Sequence, residues 1–209
     1  EPDDDDDGRW GLRCGDRLML LETHAHYDDE AFDADRDVLL EDLKEYGIRK
    51  VINAGASVES SYTGLKLAER YPWVYAALGA HPNYVEELNE TVLKDFAELT
   101  KHPKVVAIGE IGLEYHYEEP LRDVQKIWFR RQLDLAAETG LPVIIHSREA
   151  AQDTFDEMQR AAARGIGGVI HCFSSGAELA RRYTELGFYI GIGGVVAFNT
   201  GKKMKEVAA

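Results

Sequence analysis

Two histidines, His24 and His26, stand two residues apart where a short apolar run ends. In a β-strand, side chains two positions apart project from the same face, so both imidazoles point one way and Ala25 points the other. Two imidazoles placed side by side can bind a single metal ion. Because two partly buried polar residues at a strand end have the same spacing, the pair predicts a metal site only together with other donors.

Glu110 lies inside the apolar segment 107–113, with Gly109 before it and Gly112 close behind. Burying a carboxylate is costly unless a cation or a metal ion compensates its charge. An ion pair with a buried Arg or Lys is the structural alternative to a metal. The two glycines predict that something bulky approaches the backbone here. Glu110 is therefore the main candidate for a buried metal ligand.

Two further histidines, His146 and His171, each close an apolar run. If the strands form a barrel, all their carboxyl ends open at one mouth. Four histidines and Glu110 then form a donor set drawn from four strands, which suits one or two divalent metal ions. An imidazole-rich set favours zinc, whereas magnesium or manganese requires a larger contribution from carboxylate and water.

Weaker candidates follow other strands. We expect His81 and Arg148 at the same mouth, where the planar guanidinium of Arg148 could bind a substrate phosphate. A structural role in its loop is the alternative for His81, and an ion pair with a neighbouring acid is the alternative for Arg148. Cys172 is expected to be a buried thiol.

The segments that carry these residues alternate between two patterns. Short apolar runs rich in Val, Ile and Leu predict strands covered on both faces, as in a parallel sheet. These runs are residues 18–23, 50–54, 74–79, 105–111, 142–146, 168–173 and 188–193. Helical periodicity lies between them, as in 35–46 and 121–139. Within 35–46 the expected buried stripe is Val38, Leu39, Leu43 and Tyr46, and a capping box from Ser175 to Glu178 is expected to open another helix.

This alternation indicates one α/β domain over residues 18–209. An open doubly wound sheet usually has a glycine-rich turn after its first strand, but here that strand runs into residues 23–26, Thr-His-Ala-His. We therefore favour a TIM (β/α)8-type barrel. The sequence stops in what reads as the seventh helix, so we expect the barrel to lack the eighth strand and last helix. Residues 1–17 are expected to form an acidic disordered tail.

Composition limits the possible function classes. The chain has 209 residues, with 24 Lys and Arg against 38 Asp and Glu, and a formal net charge of −14. This charge argues against salt-driven wrapping of nucleic acid, although bound divalent cations would reverse the sign locally. The sequence shows neither a membrane span nor the basic start of a signal peptide. Two cysteines make no disulfide framework and fit a reducing cytoplasm, which is the expected location.

Five motifs occur in an order that resembles the TatD family of metal-dependent deoxyribonucleases. The resemblance extends from about Leu20 to Phe198. The motifs are H-x-H at 24–26, G-x-H-P at 79–82, G-E-I-G-L-E-Y at 109–115, L-P-V-I-I-H-S-R at 141–148 and G-V-I-H-C-F-S at 168–174. The resemblance implies a TIM barrel of the amidohydrolase type with a two-metal phosphodiesterase site.

The resemblance also implies a role for each candidate residue. The first metal ion would be bound by His24 and His26, the second by His146 and His171, and Glu110 would bridge the two. His81 and Arg148 would lie near the substrate phosphate. Family members resemble 3′–5′ exonucleases that act on single-stranded DNA or damaged ends, so DNA or oligonucleotide ends are the expected substrate.

Two departures from the family pattern change these expectations. Glu22 stands where the family usually has Asp before its first motif, which shifts a carboxylate that orients the histidines. The family's last ligand, an Asp on the eighth strand, is not in this sequence. We therefore expect partial metal occupancy, biased toward His146 and His171, and little activity for the chain as given.

For the full-length protein, the expected reaction is hydrolysis of a DNA phosphodiester by metal-activated water, with Glu110 as the catalytic carboxylate and two divalent ions (Zn, Mg or Mn) as cofactors. No membrane and no obligate protein partner is expected. One alternative is a different hydrolase on the same scaffold, such as an amidase, lactonase or deacylase, because metal-activated water attacks carbon as well as phosphorus. Another is an inactive chain that acts only by interaction through an exposed strand edge.

Overall fold

The computed structural model describes residues 13–14, 17–199 and 201–209. The predicted acidic run of the tail lies outside these residues. Two short strands, β1 (Arg13–Cys14) and β2 (Arg17–Leu18), pair antiparallel with Arg13 opposite Leu18. Residues 13, 14 and 17 fall within the predicted disordered tail, whereas the structure gives them backbone partners in this pair of strands.

The rest of the chain is built on a seven-stranded parallel sheet that curls into a half-barrel, and its strands follow one another in chain order. The strands are β3 (Leu20–Ala25), β4 (Ile48–Ala54), β5 (Val74–Leu78), β6 (Val105–Glu114), β7 (Val143–Arg148), β8 (Gly168–Ile170) and β9 (Tyr189–Ile190). Each of the seven predicted strands is therefore present. Sequential order without a switch point is the order of a barrel wall, which confirms the predicted fold class.

Helices connect the strands and cover one face of the sheet. They are α1 (Arg36–Asp42), α2 (Val58–Arg70), α3 (Glu90–Leu99), α4 (Arg122–Thr139), α5 (Ala151–Ala163), α6 (Ala177–Glu185) and α7 (Lys202–Ala208), with 3₁₀ turns at Glu30–Phe32, Pro82–Glu87 and Gly194–Ala197. Helix α2 packs on β4 and β5, α4 on β6, and α5 on β6 and β7. In the described part of the chain, no helix combines the length and the apolar character needed to cross a bilayer.

The sheet has a different core on each face. The main core lies under the helices and includes Leu78, Ile108 and Ile145, which are fully buried. A smaller cluster of Ala77, Ala107 and Ile144 occupies the neighbouring positions of the same strands. Because successive strand residues point to opposite faces, this second cluster lines the concave side of the half-barrel, which therefore carries mostly small side chains at this level.

Two local predictions were wrong. Helix α1 ends at Asp42, so the predicted stripe does not continue to Tyr46, which is 77% exposed, and Val38 is exposed as well. Leu40 and Leu43 are the residues that the helix segment buries. The predicted capping box does not form, because α6 begins at Ala177 with Gly176 at its N-cap and no side-chain cap.

Two β-bulges occur where the sheet carries candidate ligands. Between Ile108 and Ile111 strand β6 advances by three residues while β7 advances by two, and β3 does the same against β4 between Glu22 and Ala25. A bulge re-aims the side chains beside it and often lies next to an active site. The two bulges contain Glu110 and His24. The direction of both side chains therefore depends on an irregularity in the strand rather than on strict alternation.

The glycines around Glu110 allow close contact with the adjacent strand β7. Gly112 has a φ of +150°, and a Cβ at this position would lie 2.0 Å from the carbonyl oxygen of His146. A Cβ at Gly109 would lie 2.6 Å from the Cβ of Ile144. The bulky neighbour predicted from these glycines is therefore strand β7, and the close approach brings Glu110 next to His146.

Candidate metal centre

Glu110 lies at the centre of the site, with a side chain that is 5% exposed. Its Oε2 atom lies 3.3 Å from Nε2 of His24 and 3.6 Å from Nε2 of His26, and its Oε1 atom lies 3.0 Å from Nδ1 of His146. Burial opposes ionisation, but hydrogen bonds from these histidines outweigh it and hold the pKa of Glu110 well below its usual range. Glu110 is therefore ionised at neutral pH, and its ion-pair partners among the described residues are histidines rather than Arg or Lys.

The possible ligand atoms form two groups that share one carboxylate. Within the described residues these groups are His24, Glu110 and His171, and His81, Glu110 and His146, each with its atoms inside 4.8 Å of one another. His26 stands beside the first group, with its Nε2 2.9 Å from Nε2 of His24. The resemblance paired His171 with His146 and gave His81 to the substrate. The geometry instead places His171 with His24 and His81 with His146.

The rings of the first group are held in place by their neighbours. Nδ1 of His26 lies 2.9 Å from the carbonyl oxygen of Ala54, which fixes a proton on Nδ1 and leaves Nε2 to face Glu110. The ring of His171 stacks on that of His24, with centroids 3.4 Å apart and planes 9° apart. Nδ1 of His24 is buried without a hydrogen-bond partner among the described residues. The nitrogen of His24 that faces Glu110 is Nε2, so what fits a divalent cation is the donor set itself, several imidazoles around one buried carboxylate.

The histidines differ in how readily they take a proton. Burial, together with the neighbouring imidazoles, lowers the pKa of His81 and of His171 to about 4, so both are neutral at pH 7. Burial also opposes the charged forms of His26 and His146, but the nearby carboxylate of Glu110 outweighs it and raises the pKa of each. A metal ion binds neutral imidazole, so it competes with protons for these last two rings.

Metal affinity is therefore expected to fall as the pH is lowered from 8 to 6. Because the pKa values of His26 and His146 are raised, protons compete for these rings increasingly below neutrality. The loss should reach about tenfold per pH unit for each imidazolium that must be deprotonated. Calorimetric titration with Mn²⁺ or Zn²⁺ in two buffers of different ionisation enthalpy measures affinity and proton release together. Equal affinity at pH 6 and pH 8, without proton release, would contradict the assignment.

Glu114 was not singled out in the sequence, yet the structure places it against the site. Its side chain is 2% exposed, and its Oε2 atom lies 3.2 Å from Nε2 of His146. It pairs in register with Arg148, whose Nη1 lies 3.9 Å from the same oxygen. A signal was present in the sequence, because Glu114 directly follows the apolar segment 107–113, and burial of this second carboxylate carries the same cost as burial of Glu110.

The two candidate substrate contacts lie at the same rim. The side chain of Arg148 is 48% exposed, and its Nη1 atom forms a long ion pair of 3.9 Å with Glu114. Nδ1 of His81 accepts a hydrogen bond from the backbone of Asn83, at 3.2 Å, so the ring caps the following 3₁₀ turn. This is the structural role considered for His81, and it leaves the proton of the neutral ring on Nε2. The prediction for Cys172 was wrong: the thiol is exposed, because β8 ends at Ile170 and its alternation stops there.

Comparisons with known proteins agree with this geometry. The family model described as TatD related DNase matches residues 21–209. An uncharacterized metal-dependent hydrolase of Bacillus subtilis, YabD, is 39% identical over 189 residues, which are 90% of this chain and 74% of the relative. The 3′–5′ ssDNA/RNA exonuclease TatD of a Rahnella species is 32% identical over 178 residues, which are 85% of this chain and 68% of the relative.

A solved structure extends the similarity to the fold. The crystal structure of YjjV, a TatD homolog from Escherichia coli K12, has a TM-score of 0.84 and 33% identity, and the match covers 91% of this chain and 74% of that one. The parallel half-barrel, the shared group of metal donors and the family match agree with one another. The chain belongs to the TatD family of metal-dependent hydrolases.

Proposed function

We propose that this chain is a nuclease that removes nucleotides from the 3′ end of single-stranded DNA with the help of two divalent metal ions. The observation that carries the proposal is the convergence of His24, His26 and His146 on both oxygens of the buried Glu110. The exonuclease name of the Rahnella relative supports DNA as the substrate. The low cysteine content supports a reducing cytoplasm as the place of action.

The residues present fit such a cofactor. Glu110 is shared by His24 and His171 on one side and by His146 on the other, and imidazoles around one buried carboxylate suit divalent ions. Divalent ions bound there would lower the pKa of water and neutralise charge on phosphoryl oxygens. The imidazole-rich groups favour zinc, while the shared carboxylate also suits manganese or magnesium.

The chain's own residues have distinct parts in the proposed reaction. Glu110 is ionised at neutral pH, and its two oxygens hold the two groups of donors in one arrangement. The half-exposed guanidinium of Arg148 presents a planar pair of donors to a phosphate. His81 is neutral with its proton on Nε2, so it donates a hydrogen bond to a phosphoryl oxygen without taking up charge.

The proposal is tested with the full chain and a single-stranded DNA oligonucleotide labelled at its 5′ end. We expect products shortened stepwise from the 3′ end when Mg²⁺, Mn²⁺ or Zn²⁺ is added, formed slowly because the departures from the family pattern predict little activity. A phosphorothioate linkage at the 3′ end should suppress them, and EDTA should abolish them. A lactone, an aryl ester and an amide are assayed in parallel. Turnover of one of these without cleavage of DNA would refute the nuclease and support another hydrolase, and no turnover of any substrate would refute both.

A further inference from the structure

We infer that Tyr117, with His116 and Arg148 against it, forms a stacking platform for an unpaired base next to the scissile phosphate. The inference rests on the proposed function, because it assigns the part of a single-stranded substrate that this rim would bind. We call these three side chains the Tyr117 platform. Aromatic rings with arginine beside them bind single-stranded nucleic acid by stacking, largely independently of base identity.

The platform is connected directly to the candidate metal centre. It lies in the loop that follows β6, at the carboxyl end of the strand that carries Glu110. The backbone amide of Tyr115 donates to the carbonyl oxygen of Arg148, at 2.9 Å. The backbone amide of His116 donates to Oε1 of Glu114, also at 2.9 Å, and the other oxygen of Glu114 faces His146. The start of the loop is therefore fixed to the two strands that present Glu110 and His146.

The ring of Tyr117 is braced but accessible. The residue is 52% exposed. The ring of His116 meets it edge-on, with centroids 5.0 Å apart and planes 81° apart. The guanidinium carbon of Arg148 lies 5.8 Å from its centroid. Arg148 therefore lies against the aromatic ring and is also the residue proposed to bind the phosphate. A nucleotide that stacks its base on Tyr117 would place its phosphate near this guanidinium.

A cavity beside the platform has room for a nucleotide. The loop after β6 and the start of α4 border an open cleft of about 530 Å³, which is within the range of small-molecule sites. Tyr115, Tyr117 and Leu121 give it aromatic and apolar walls. Tyr115 is fixed, because its hydroxyl donates to Oδ2 of Asp153 at 2.6 Å, and the guanidinium carbon of Arg122 lies 4.4 Å from its ring centroid. The part of the lining that Tyr115 provides is therefore preorganised.

The charge of the protein makes stacking the main source of affinity. With a net charge of −14, the chain offers little general attraction for a polyanion. Two arginines lie at this rim, and each is against a tyrosine ring. Arg122 lies against Tyr115 in the lining of the cavity, and Arg148 lies against Tyr117 in the platform. Binding should therefore depend on exposed bases rather than on many phosphate contacts. A paired duplex keeps its bases stacked on one another, so the platform selects single strands or frayed ends.

The test measures binding separately from cleavage. Fluorescence anisotropy of a 5′-fluorescein oligothymidylate is titrated with the full chain in Ca²⁺ at several salt concentrations. We expect Tyr117→Ala to weaken binding about tenfold, Tyr117→Phe to restore most of it, and the salt dependence to be shallow. Tyr46→Ala is the matched control, since Tyr46 is an exposed tyrosine that precedes β4, at the opposite end of the sheet. Circular dichroism checks that each variant is folded.

A modified oligonucleotide makes the test specific for stacking. Removing the bases of the last two nucleotides at the 3′ end should weaken binding to the wild type about tenfold and cause little further loss in Tyr117→Ala. The inference is overturned if the wild type does not bind the oligonucleotide, if Tyr117→Ala binds equally well, or if both proteins lose equally from base removal. Binding that depends on Tyr117 without hydrolysis in any metal would instead refute the proposed nuclease and leave the platform standing.

Discussion

Replacing Glu110 with Gln should lower kcat/KM for metal-dependent hydrolysis by about a thousandfold. The side chain keeps its shape but loses the charge that two groups of donors share. Its new amide group would also face imidazole nitrogens that now lie 3.0 to 3.6 Å from carboxylate oxygens. Hydrolysis of the labelled oligonucleotide gives kcat/KM, and mass spectrometry of dialysed protein gives the metal content, which should fall together with activity.

A second buried glutamate provides the control for this variant. Glu157, on α5, is 5% exposed, and its Oε1 atom lies 2.6 Å from Arg130 and 2.7 Å from Arg160. Glu157→Gln should reduce stability, because it weakens these ion pairs, while kcat/KM remains near that of the wild type. If Glu110→Gln retained more than about a tenth of the activity, Glu110 would not be the catalytic carboxylate.

The sheet and the rim of the site could be predicted from sequence because both follow from simple rules. Buried parallel strands read as apolar runs, and each of the seven runs is a strand in the structure. Strand order then brings every carboxyl end to one rim, so residues at those ends meet without further information. His146 and His171 were placed correctly at this rim by the ends of their apolar runs alone.

The finer arrangement of the site depends on contacts that no local pattern encodes. The bulges at His24 and Glu110 change which way each side chain points, and a bulge is fixed by the register of the neighbouring strand. The stacking of His171 on His24 likewise results from the curl of the sheet. Sequence spacing therefore predicted candidate donors that the structure brings together, but not how their ligand atoms group around Glu110.

Glu114 is a residue of the site whose partner could not be predicted from the local sequence. Its position directly after an apolar segment was a signal for a buried carboxylate, yet its partner, His146, belongs to the next strand. His146 is opposite Gly112, and only the contact between the two strands brings its ring within 3.2 Å of the Glu114 carboxylate. The predicted extent of the buried stripe on helix α1 was wrong for a similar reason. Periodicity extended its apolar stripe to Tyr46, but the helix ends at Asp42 and the chain turns toward β4.

Replacing Glu114 should weaken metal binding by about tenfold for Gln and by up to about a hundredfold for Leu. The carboxylate faces Nε2 of His146, while Nδ1 of the same ring faces Glu110. Glu114 is therefore a positioning residue that fixes the ring and its tautomer. It also raises the pKa of His146, so this pKa should fall in both variants. Competition with a chelating dye measures the affinity, and the imidazole NMR titration measures the pKa.

A glutamate–histidine pair at the surface provides the control for the Glu114 variants. It distinguishes the loss of ligand orientation from a general effect of removing one negative charge on metal affinity. Glu69 lies 3.4 Å from Nε2 of His102 outside the site, so Glu69→Gln should leave metal affinity unchanged. Glu114→Asp should recover part of the lost affinity, because a carboxylate on a shorter stem still reaches toward the ring, whereas a purely structural defect would not be rescued. If Glu114→Gln bound metal as the wild type does while the pKa of His146 fell, Glu114 would tune the charge of the ring without orienting it, and the positioning role would be wrong.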